Sequence, residues 1–392
     1  IRLSPFRPTF GSVSLPNVPP TRRQHAMIRR ATVIAAVVAL SLAGLHPSAA
    51  GRGRTASSRT AGHIEPITAV PIATGLAFPA AFTVGNDGRI YYGERLTGEV
   101  RIFNPANGSD TLWAQISNLR TEGERGLLGV ALLPGTLHLV GYVYATRDVG
   151  GVPTNQILRL TSIVEVVFSS DVPAQIVHNG GRILFGPDGN LYTVIGDAAD
   201  RSNAQNLAND AGKVLRMTPS GGVPGDNPFP GSHIWAYGIR NSYGFNFDPL
   251  TGRIWETENG PECNDEINLI DKGANYAWGP RATCSTPPPP PQNTNQDGPN
   301  PVMPLAWWSS PTAPTGAAFC VGCGMPSSEG ALFFGHYNTR QVTRVILNAQ
   351  RDGIASMGVV YTHPRPILSM ERGPDKVIYF SDTSGIYKLV ET

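Results

Sequence analysis

A histidine followed by two glycines is the segment of this sequence best suited to chemistry. His178 opens the run HNGGR and precedes ILFGPDGNLYTVIGD, in which a Pro-Asp-Gly turn separates two short apolar segments. Glycine lets a backbone or a ligand approach closely, and an imidazole can change its protonation near neutral pH. The pattern indicates a site on a β scaffold, but it names no reaction, because a histidine with a purely structural role gives the same pattern.

A second chemical feature is an acidic segment, ENGPECNDEINLIDKGANY, which begins at Glu258. Clustered carboxylates repel one another unless a cation or several hydrogen-bond donors compensate them, and oxygen ligands favour calcium over zinc or copper. The segment is therefore interpreted as a calcium site, with a solvated acidic loop as the alternative. The acids in and just before it are Glu256, Glu258, Glu262, Asp265, Glu266 and Asp271.

The elements that must position these residues are short β-strands. Runs of alternating Val, Ile, Tyr and Phe recur around Gly, Asn, Asp or Pro turns, and no long stretch has helical periodicity; the best helix candidate is residues 204–213. Repeated four-stranded units favour an all-β, six-bladed β-propeller, since a sandwich needs far fewer strands. A strand near residues 67–73 is expected to complete the last blade. The proline-rich residues 285–301 are expected to form an exposed loop between strands.

Residues 27–50 have a basic start, an apolar run and a small-residue end, which predicts a secretory signal peptide. Residues 1–26 are then interpreted as an upstream extension, 51–64 as a linker, and 65–392 as one propeller domain. Residues 1–50 contain six arginines and no acid, so their removal changes the formal net charge from +2 to −4. This balance argues against nucleic-acid binding. We expect a secreted or periplasmic protein without a membrane anchor, as a monomer or homodimer.

Four cysteines in an exported chain indicate two disulfides. The expected pairs are Cys263 with Cys284 and Cys320 with Cys323. The Cys320-Val-Gly-Cys323 spacing is also compatible with redox exchange or half of a zinc site. No second CxxC, histidine pair or thioredoxin-like pattern accompanies it, so a structural disulfide is favoured.

The ordered motifs of the chain resemble those of soluble pyrroloquinoline quinone (PQQ)-dependent sugar dehydrogenases, the glucose/sorbosone or aldose sugar dehydrogenase group. The resemblance extends over residues 66–390. Members of that group are secreted six-bladed propellers. The motifs are ERGLLGVALLPG, HNGGRILFGPDGNLYTVIGD, AQNLANDAGKVLRMTPSGGVPGDNPFP, IWAYGIRNSYGF, ENGPECNDEINLIDKGANYAWGP and GPDKVIYFSD.

The resemblance implies a reaction and a role for several residues. His178 matches the base that removes the proton from a sugar's anomeric hydroxyl while hydride passes to the quinone. Arg240 and Asn241 match a pair that contacts the quinone oxygens, with the guanidinium stabilising negative charge and the amide donating a hydrogen bond. The partners implied are an aldose sugar and an external electron acceptor.

Calcium is also implied by the resemblance. The backbone carbonyls of Gly260 and Pro261 match those that hold a calcium ion which also binds the quinone. Glu266 and Tyr276 match residues associated with a further calcium ion.

Some cofactor positions differ from the pattern of the group. Glu124 stands where one branch has glutamine, Asn338 replaces an expected lysine, and an Arg-x-Arg is reduced to Arg365. PQQ carries three carboxylates, so these losses require other cations. Arg340, Arg365 and Arg372 are the candidates to supply them from shifted positions.

Three further hypotheses stay open at this point. The adjacent Trp307 and Trp308 are candidates for a sugar-binding aromatic surface, or they pack within a blade. The whole chain could instead be a calcium-dependent lactonase that uses a metal in the central channel. Alternatively, it could be an extracellular propeller that only binds a partner, although such a module has no need of His178 beside Arg240.

Overall fold

The structure is a computed structural model that describes residues 66–136, 139–286 and 288–392. The predictions for residues 1–26, 27–50 and 51–64 fall outside these ranges. The described chain forms six antiparallel sheets of four strands each, with one short α-helix and one 3₁₀ turn. The all-β, six-bladed propeller predicted from the strand-and-turn pattern is confirmed. In the described residues no helix combines the length and the apolar character needed to cross a membrane.

The first blade consists of β2–β5 (Pro79–Val84, Ile90–Glu94, Glu99–Asn104, Ser109–Gln115). The second consists of β6–β9 (Leu127–Leu132, Gly141–Val149, Val152–Leu160, Val164–Pro173). The third consists of β10–β13 (Ile183–Phe185, Leu191–Ile195, Lys213–Met217, Ile234–Tyr237). Helix α1 (Arg201–Gln205) lies between β11 and β12.

The next two blades are β14–β17 (Ser242–Phe247, Ile254–Glu258, Asp265–Ile270, Ala306–Trp308) and β18–β21 (Pro314–Phe319, Leu332–His336, Gln341–Leu347, Ile354–Thr362). The last blade joins β22–β24 (Ser369–Arg372, Ile378–Ser381, Gly385–Glu391) to β1 (Ile67–Thr74). The 3₁₀ turn is Pro326–Ser328.

The same turn device joins the first two strands of three blades. In the GPDG turn before β11, Asp188 accepts hydrogen bonds from the Asn190 backbone at 3.1 Å and from the Tyr192 hydroxyl at 3.0 Å. Asp87 and Asp375 bind the hydroxyl groups of Tyr91 and Tyr379 in the same way. An aspartate that caps its own turn favours the reversal, and the tyrosine anchors it to the blade.

Glycine allows the first strands of the blades to pack closely around the axis. A Cβ at Gly244 in β14 would lie 1.4 Å from the carbonyl oxygen of Thr315 in β18. A Cβ at Gly316 would lie 1.9 Å from the backbone nitrogen of Met370 in β22. Such contacts are impossible for any side chain, so these positions require glycine. The first strand of each blade therefore lines the centre of the ring.

The predicted closing strand is confirmed. β1 pairs antiparallel with β24, with Ile67 opposite Glu391, and the Thr392 backbone donates to the Pro66 carbonyl at 3.0 Å. The last blade is thus completed by the beginning of the described chain. This pairing covers the edge of β24, which would otherwise expose unpaired backbone groups.

Both predicted disulfides, Cys263–Cys284 and Cys320–Cys323, are present. Two other expectations need correction. The helix is Arg201–Gln205, whose N-terminus is capped by the Asp200 side chain, rather than residues 204–213. The loop of residues 285–301 lies between β16 and β17 as expected, but its Asn293–Asn295 portion is buried. These polar residues fold inward because the buried side chains of β16 and the chain just before it need hydrogen-bond partners.

A buried histidine in the fifth blade is expected to make the stability of the fold depend on pH. His336 lies between the hydroxyl groups of Thr312 at 3.0 Å and Thr343 at 2.8 Å, and burial lowers its pKa to about 4. Between pH 6.5 and 4 the unfolded chain therefore binds a proton that the native chain does not. We expect the free energy of unfolding to fall by about 3 kcal/mol as the pH decreases through this range.

Urea unfolding of the wild type and the His336→Gln variant at several pH values measures this effect. The carboxylates titrate in both proteins, so the difference between the two curves isolates the histidine. The variant should lose less stability on acidification. Parallel curves would show that His336 does not set the acid sensitivity.

Candidate active site

A cavity lies where the chain enters the first strand of each blade. Its volume is about 570 Å³, within the usual range for small-molecule sites. Every blade contributes lining residues that lie at or just before its innermost strand. These include Phe78, Glu124, His178, Asn241, Ala313 and Leu368. Because the strands converge on the axis, residues distant in sequence meet at this end of the propeller.

His178 is held by a buried aspartate. Its Nδ1 lies 2.6 Å from Oδ1 of Asp197, whose side chain is only 1% exposed. Asp197 follows β11 and also accepts hydrogen bonds from the Trp278 indole at 2.8 Å and the Ala199 backbone at 2.8 Å. Within the described chain the other ring nitrogen, Nε2, has no hydrogen-bond partner. An aspartate on Nδ1 sets the tautomer that leaves Nε2 able to accept a proton.

Arg240 is fixed beside the same cavity. Its Nη1 donates to the Asn259 carbonyl at 2.8 Å, and its guanidinium lies 5.5 Å from the centre of the Trp278 ring. Burial lowers the pKa of Arg240, while the carboxylates of Asp197 and Glu258 raise it again. An arginine stays charged under these conditions. The site therefore has a fixed positive charge near the imidazole that Asp197 orients.

The amide of Asn241 is turned away from the role expected of it. Its Nδ2 donates to Oε2 of Glu124 at 3.3 Å and to the Tyr243 hydroxyl at 3.2 Å. Its Oδ1 is buried and accepts no hydrogen bond from the described residues. In this structure Asn241 thus offers an acceptor oxygen, whereas the family resemblance implies that its amide donates to the quinone.

Gly260 and Pro261 form one wall of the cavity. The Gly260 backbone donates to Oδ1 of Asp265 at 2.9 Å, and Oδ2 of Asp265 binds the backbone of Thr312 and Ala313 at 2.6 and 2.7 Å. No residue in the described part of the chain donates to the Gly260 or Pro261 carbonyl. A Cβ at Gly260 would lie 1.9 Å from the Cys263 carbonyl. The wall is thus a tight backbone turn with two unused carbonyl oxygens.

The sequence model of the Glucose / Sorbosone dehydrogenase family matches residues 76–389. The chain belongs to this family. It is 28% identical over 302 residues to aldose sugar dehydrogenase YliI of Escherichia coli, covering 72% of this chain and 81% of the relative. It is 32% identical over 246 residues to quinoprotein glucose dehydrogenase B of Acinetobacter calcoaceticus, covering 53% of this chain and 51% of the relative.

A solved structure supports the same assignment. The PQQ-bound form of aldose sugar dehydrogenase from Streptomyces coelicolor superposes with a TM-score of 0.71 at 26% sequence identity. The alignment covers 82% of this chain and 97% of that one. The resemblance inferred from the motifs is therefore confirmed at the level of family and fold.

The positively charged side chains that line the cavity differ from those that the motifs of a Glucose / Sorbosone dehydrogenase predict. Arg95 and Arg182 line the cavity with Arg240, and Asn338 lines it where the lysine was expected. Arg182 pairs with Glu371 at 2.7 Å, which links the third blade to the sixth.

Arg365, predicted as a cofactor-binding residue, is not among the residues that line the cavity. It is exposed between Pro364 and Pro366, in the connection before β22. Its two proposed companions also lie elsewhere. Arg340 donates to the Pro364 carbonyl and Arg372 to the Val321 carbonyl.

Glu266 and Tyr276 lie outside the cavity. Glu266 is in β16 of the fourth blade, and Tyr276, in the connection after β16, packs between the third and fourth blades. The Tyr276 hydroxyl donates to the Leu269 carbonyl at 2.6 Å and accepts from the Asp271 backbone at 2.8 Å, so it is already satisfied. Glu266 instead shares the interior of the sheet with Glu256 and Glu258.

Burial raises the pKa of Glu256 to about 7 and of Glu266 to about 8, and it raises the pKa of Glu258 as well. Glu256 and Glu258 each have one oxygen without a hydrogen-bond partner. Such buried carboxyl groups need protons or a cation. The donors that Glu266 does have, Thr294 and Asn295, come from the loop between β16 and β17.

The tryptophan pair does not form a sugar surface in the cavity. Trp308 packs edge-on against His336 at 5.2 Å, and Trp307 is 43% exposed on the outermost strand of its blade. The aromatic side chains that line the cavity are Phe78, Tyr243 and Tyr337. Tyr337 directly follows β19, and no periodic signal in the sequence distinguishes it from a strand residue.

Proposed function

We propose that this chain is a PQQ-dependent dehydrogenase that oxidises an aldose at its anomeric carbon to the lactone and passes electrons to an external acceptor. The observation that carries this proposal is the pairing of His178 with Asp197 beside Arg240 in one cavity. Relatives named aldose sugar dehydrogenase and quinoprotein glucose dehydrogenase support it.

The residues present are compatible with PQQ. Three guanidinium groups, of Arg95, Arg182 and Arg240, line the cavity and suit a ligand with three carboxylates. Arg182 is already paired with Glu371, so Arg240 and Arg95 are the better candidates for direct contact. The buried Oδ1 of Asn241, which has no partner, is a further polar atom available to a ligand.

The chain's own residues would act on the sugar in a defined order. The cavity wall beside His178 would hold the sugar so that the anomeric hydroxyl faces Nε2 of His178, while Arg240 would hold the cofactor. His178 takes the hydroxyl proton, and Asp197 stabilises the imidazolium that forms. The carbon–oxygen bond becomes a carbonyl as hydride leaves the carbon. Bound PQQ supplies the two-electron acceptor for that hydride.

We assign calcium to the Gly260–Pro261 turn on the basis of its two unused carbonyl oxygens, since calcium binds oxygen ligands. The further calcium at Glu266 and Tyr276 stays a prediction from the resemblance. In the described structure Glu258 lies opposite Glu266 in the sheet, and the Tyr276 hydroxyl already has two partners. Export to the periplasm or medium is proposed from the basic and apolar sequence of residues 27–50.

Reconstitution tests the proposal directly. Purified apo-protein is mixed with PQQ and calcium, and dye reduction is followed across a panel of aldoses. We expect sugar-dependent reduction that requires PQQ and falls when calcium is chelated before PQQ is added. Apo-protein with PQQ but without sugar is the blank.

Other outcomes identify the rival functions. Calcium-dependent hydrolysis of lactones without PQQ would support a lactonase. If PQQ causes no dye reduction and shows no spectral change, a propeller that only binds a partner becomes the better description.

A further inference from the structure

We propose that Glu124 is a positioning residue that sets both the His178 backbone and the orientation of the Asn241 amide. The family resemblance instead predicts this residue as a cofactor contact. The inference rests on the proposed function for its kinetic consequence, but its structural part concerns this chain alone.

The contact with His178 is the first support. Oε2 of Glu124 accepts a hydrogen bond from the His178 backbone nitrogen at 2.6 Å. His178 has a φ of 62°, in the left-handed region that a residue with a side chain adopts only at a cost of about 1 kcal/mol or more. A short hydrogen bond to a carboxylate is among the stronger ones and can offset that cost. Glu124 thus holds the backbone from which the imidazole projects.

Two independent bonds then define the position of the imidazole. Asp197 fixes the ring through Nδ1, and Glu124 fixes the main chain of the same residue. Because Glu124 holds the backbone of His178 and Asp197 holds its ring, Nε2 is restricted to a narrow range of positions in the cavity. Displacement of a reacting group by 1 Å can reduce the rate by about a hundredfold.

The contact with Asn241 is the second support. The same Oε2 atom accepts from Nδ2 of Asn241 at 3.3 Å. A flipped amide would place Oδ1 against the carboxylate, which would be repulsive. Glu124 therefore determines that Asn241 presents its Oδ1, the buried atom without a partner, as the group available to a ligand.

Glu124 is also well placed to couple separate blades. It precedes β6, while His178 precedes β10 and Asn241 precedes β14. Its backbone nitrogen is fixed by the Ile176 carbonyl at 2.7 Å, so the side chain starts from a defined point. One carboxylate thereby links two functional residues, from the third and fourth blades, to the second blade.

The test compares Glu124→Ala, Glu124→Gln and the control Glu122→Gln, an exposed acid in the same segment. In the Ala variant we expect kcat to fall about tenfold to a hundredfold, since the imidazole is displaced. In the Gln variant, the amide oxygen can still accept from His178, so most of the loss should be recovered. The sugar KM should stay close to wild type. The PQQ dissociation constant, from fluorescence titration of apo-protein, should rise by much less than kcat falls, because the Asn241 amide loses only one of its two partners. Thermal melting shows that each variant is folded.

A structural readout needs no activity. In apo-protein labelled with ¹⁵N-histidine, the His178 amide resonance should move strongly in Glu124→Ala, less in Glu124→Gln and not in Glu122→Gln. An unchanged resonance in Glu124→Ala would overturn the inference. So would a loss of PQQ affinity that accounts for the whole loss of activity, because Glu124 would then be a cofactor ligand. If the wild type has no PQQ-dependent activity, the proposed function fails while the resonance still decides the role of Glu124.

Discussion

Replacement of His178 by glutamine is expected to reduce kcat of the PQQ-loaded enzyme by about 10²–10⁴-fold. Glutamine fills similar space and can still bond Asp197, but it cannot take a proton from the anomeric hydroxyl. The rate of dye reduction at saturating sugar measures the loss. The PQQ dissociation constant should change little, since the imidazole acts on the sugar.

The matched control is His233→Gln. His233 lies in the same blade, where its ring bonds the Gly221 carbonyl at 3.0 Å, and it does not line the cavity. This variant should keep near wild-type turnover. Turnover by His178→Gln that equals the control would remove His178 as the base and with it the main support for the mechanism.

The second large effect is expected at Arg240. Arg240→Met keeps most of the side-chain volume but removes the charge, so we expect kcat/KM to fall by about 10²–10³-fold. The PQQ dissociation constant should rise in parallel, because the Arg240 guanidinium, unlike that of Arg182, has no carboxylate hydrogen-bonded to it. Steady-state kinetics and PQQ titration of the apo-protein measure the two effects separately.

Arg201→Met provides a matched control for packing. The Arg201 guanidinium also lies over Trp278, at 5.1 Å from the ring centre, but outside the main cavity. It should leave kcat/KM close to wild type. Equal losses in both variants would mean that the effect passes through Trp278 and its bond to Asp197, and would contradict a direct role for Arg240 at the cofactor.

The fold was predictable because its signals are local. Alternating apolar residues around turns such as the one at Asp188 recur along the chain, and a repeat of four-stranded units has few possible architectures. The positions of His178 and Arg240 followed from motifs at the starts of two inner strands. The propeller brings such positions together, so their proximity could be inferred once the fold was identified.

Other parts of the site depend on tertiary geometry. Asp197 follows a strand like many other aspartates, and only the packing of β11 shows that it binds His178. Arg365 is the one arginine left of an expected Arg-x-Arg pair, which predicts a cofactor contact. Its position between two prolines, in the connection before β22, leaves it exposed. The Glu266 cluster was recognised as acidic, but its burial and its donors from residues 294 and 295 depend on how a long loop folds back.

The pairing of β1 with β24 gives the propeller an ordered assembly. The first five blades each form from one continuous stretch of chain, whereas the sixth must join Pro66 to Thr392. Closing a loop of that length costs on the order of 5 kcal/mol in chain entropy, and this cost falls on a single late step. The same pairing is the natural starting point for unfolding. Opening it loosens the blade that supplies Leu368 and Ser369 to the cavity, so catalytic competence should be acquired last during folding and lost first during unfolding.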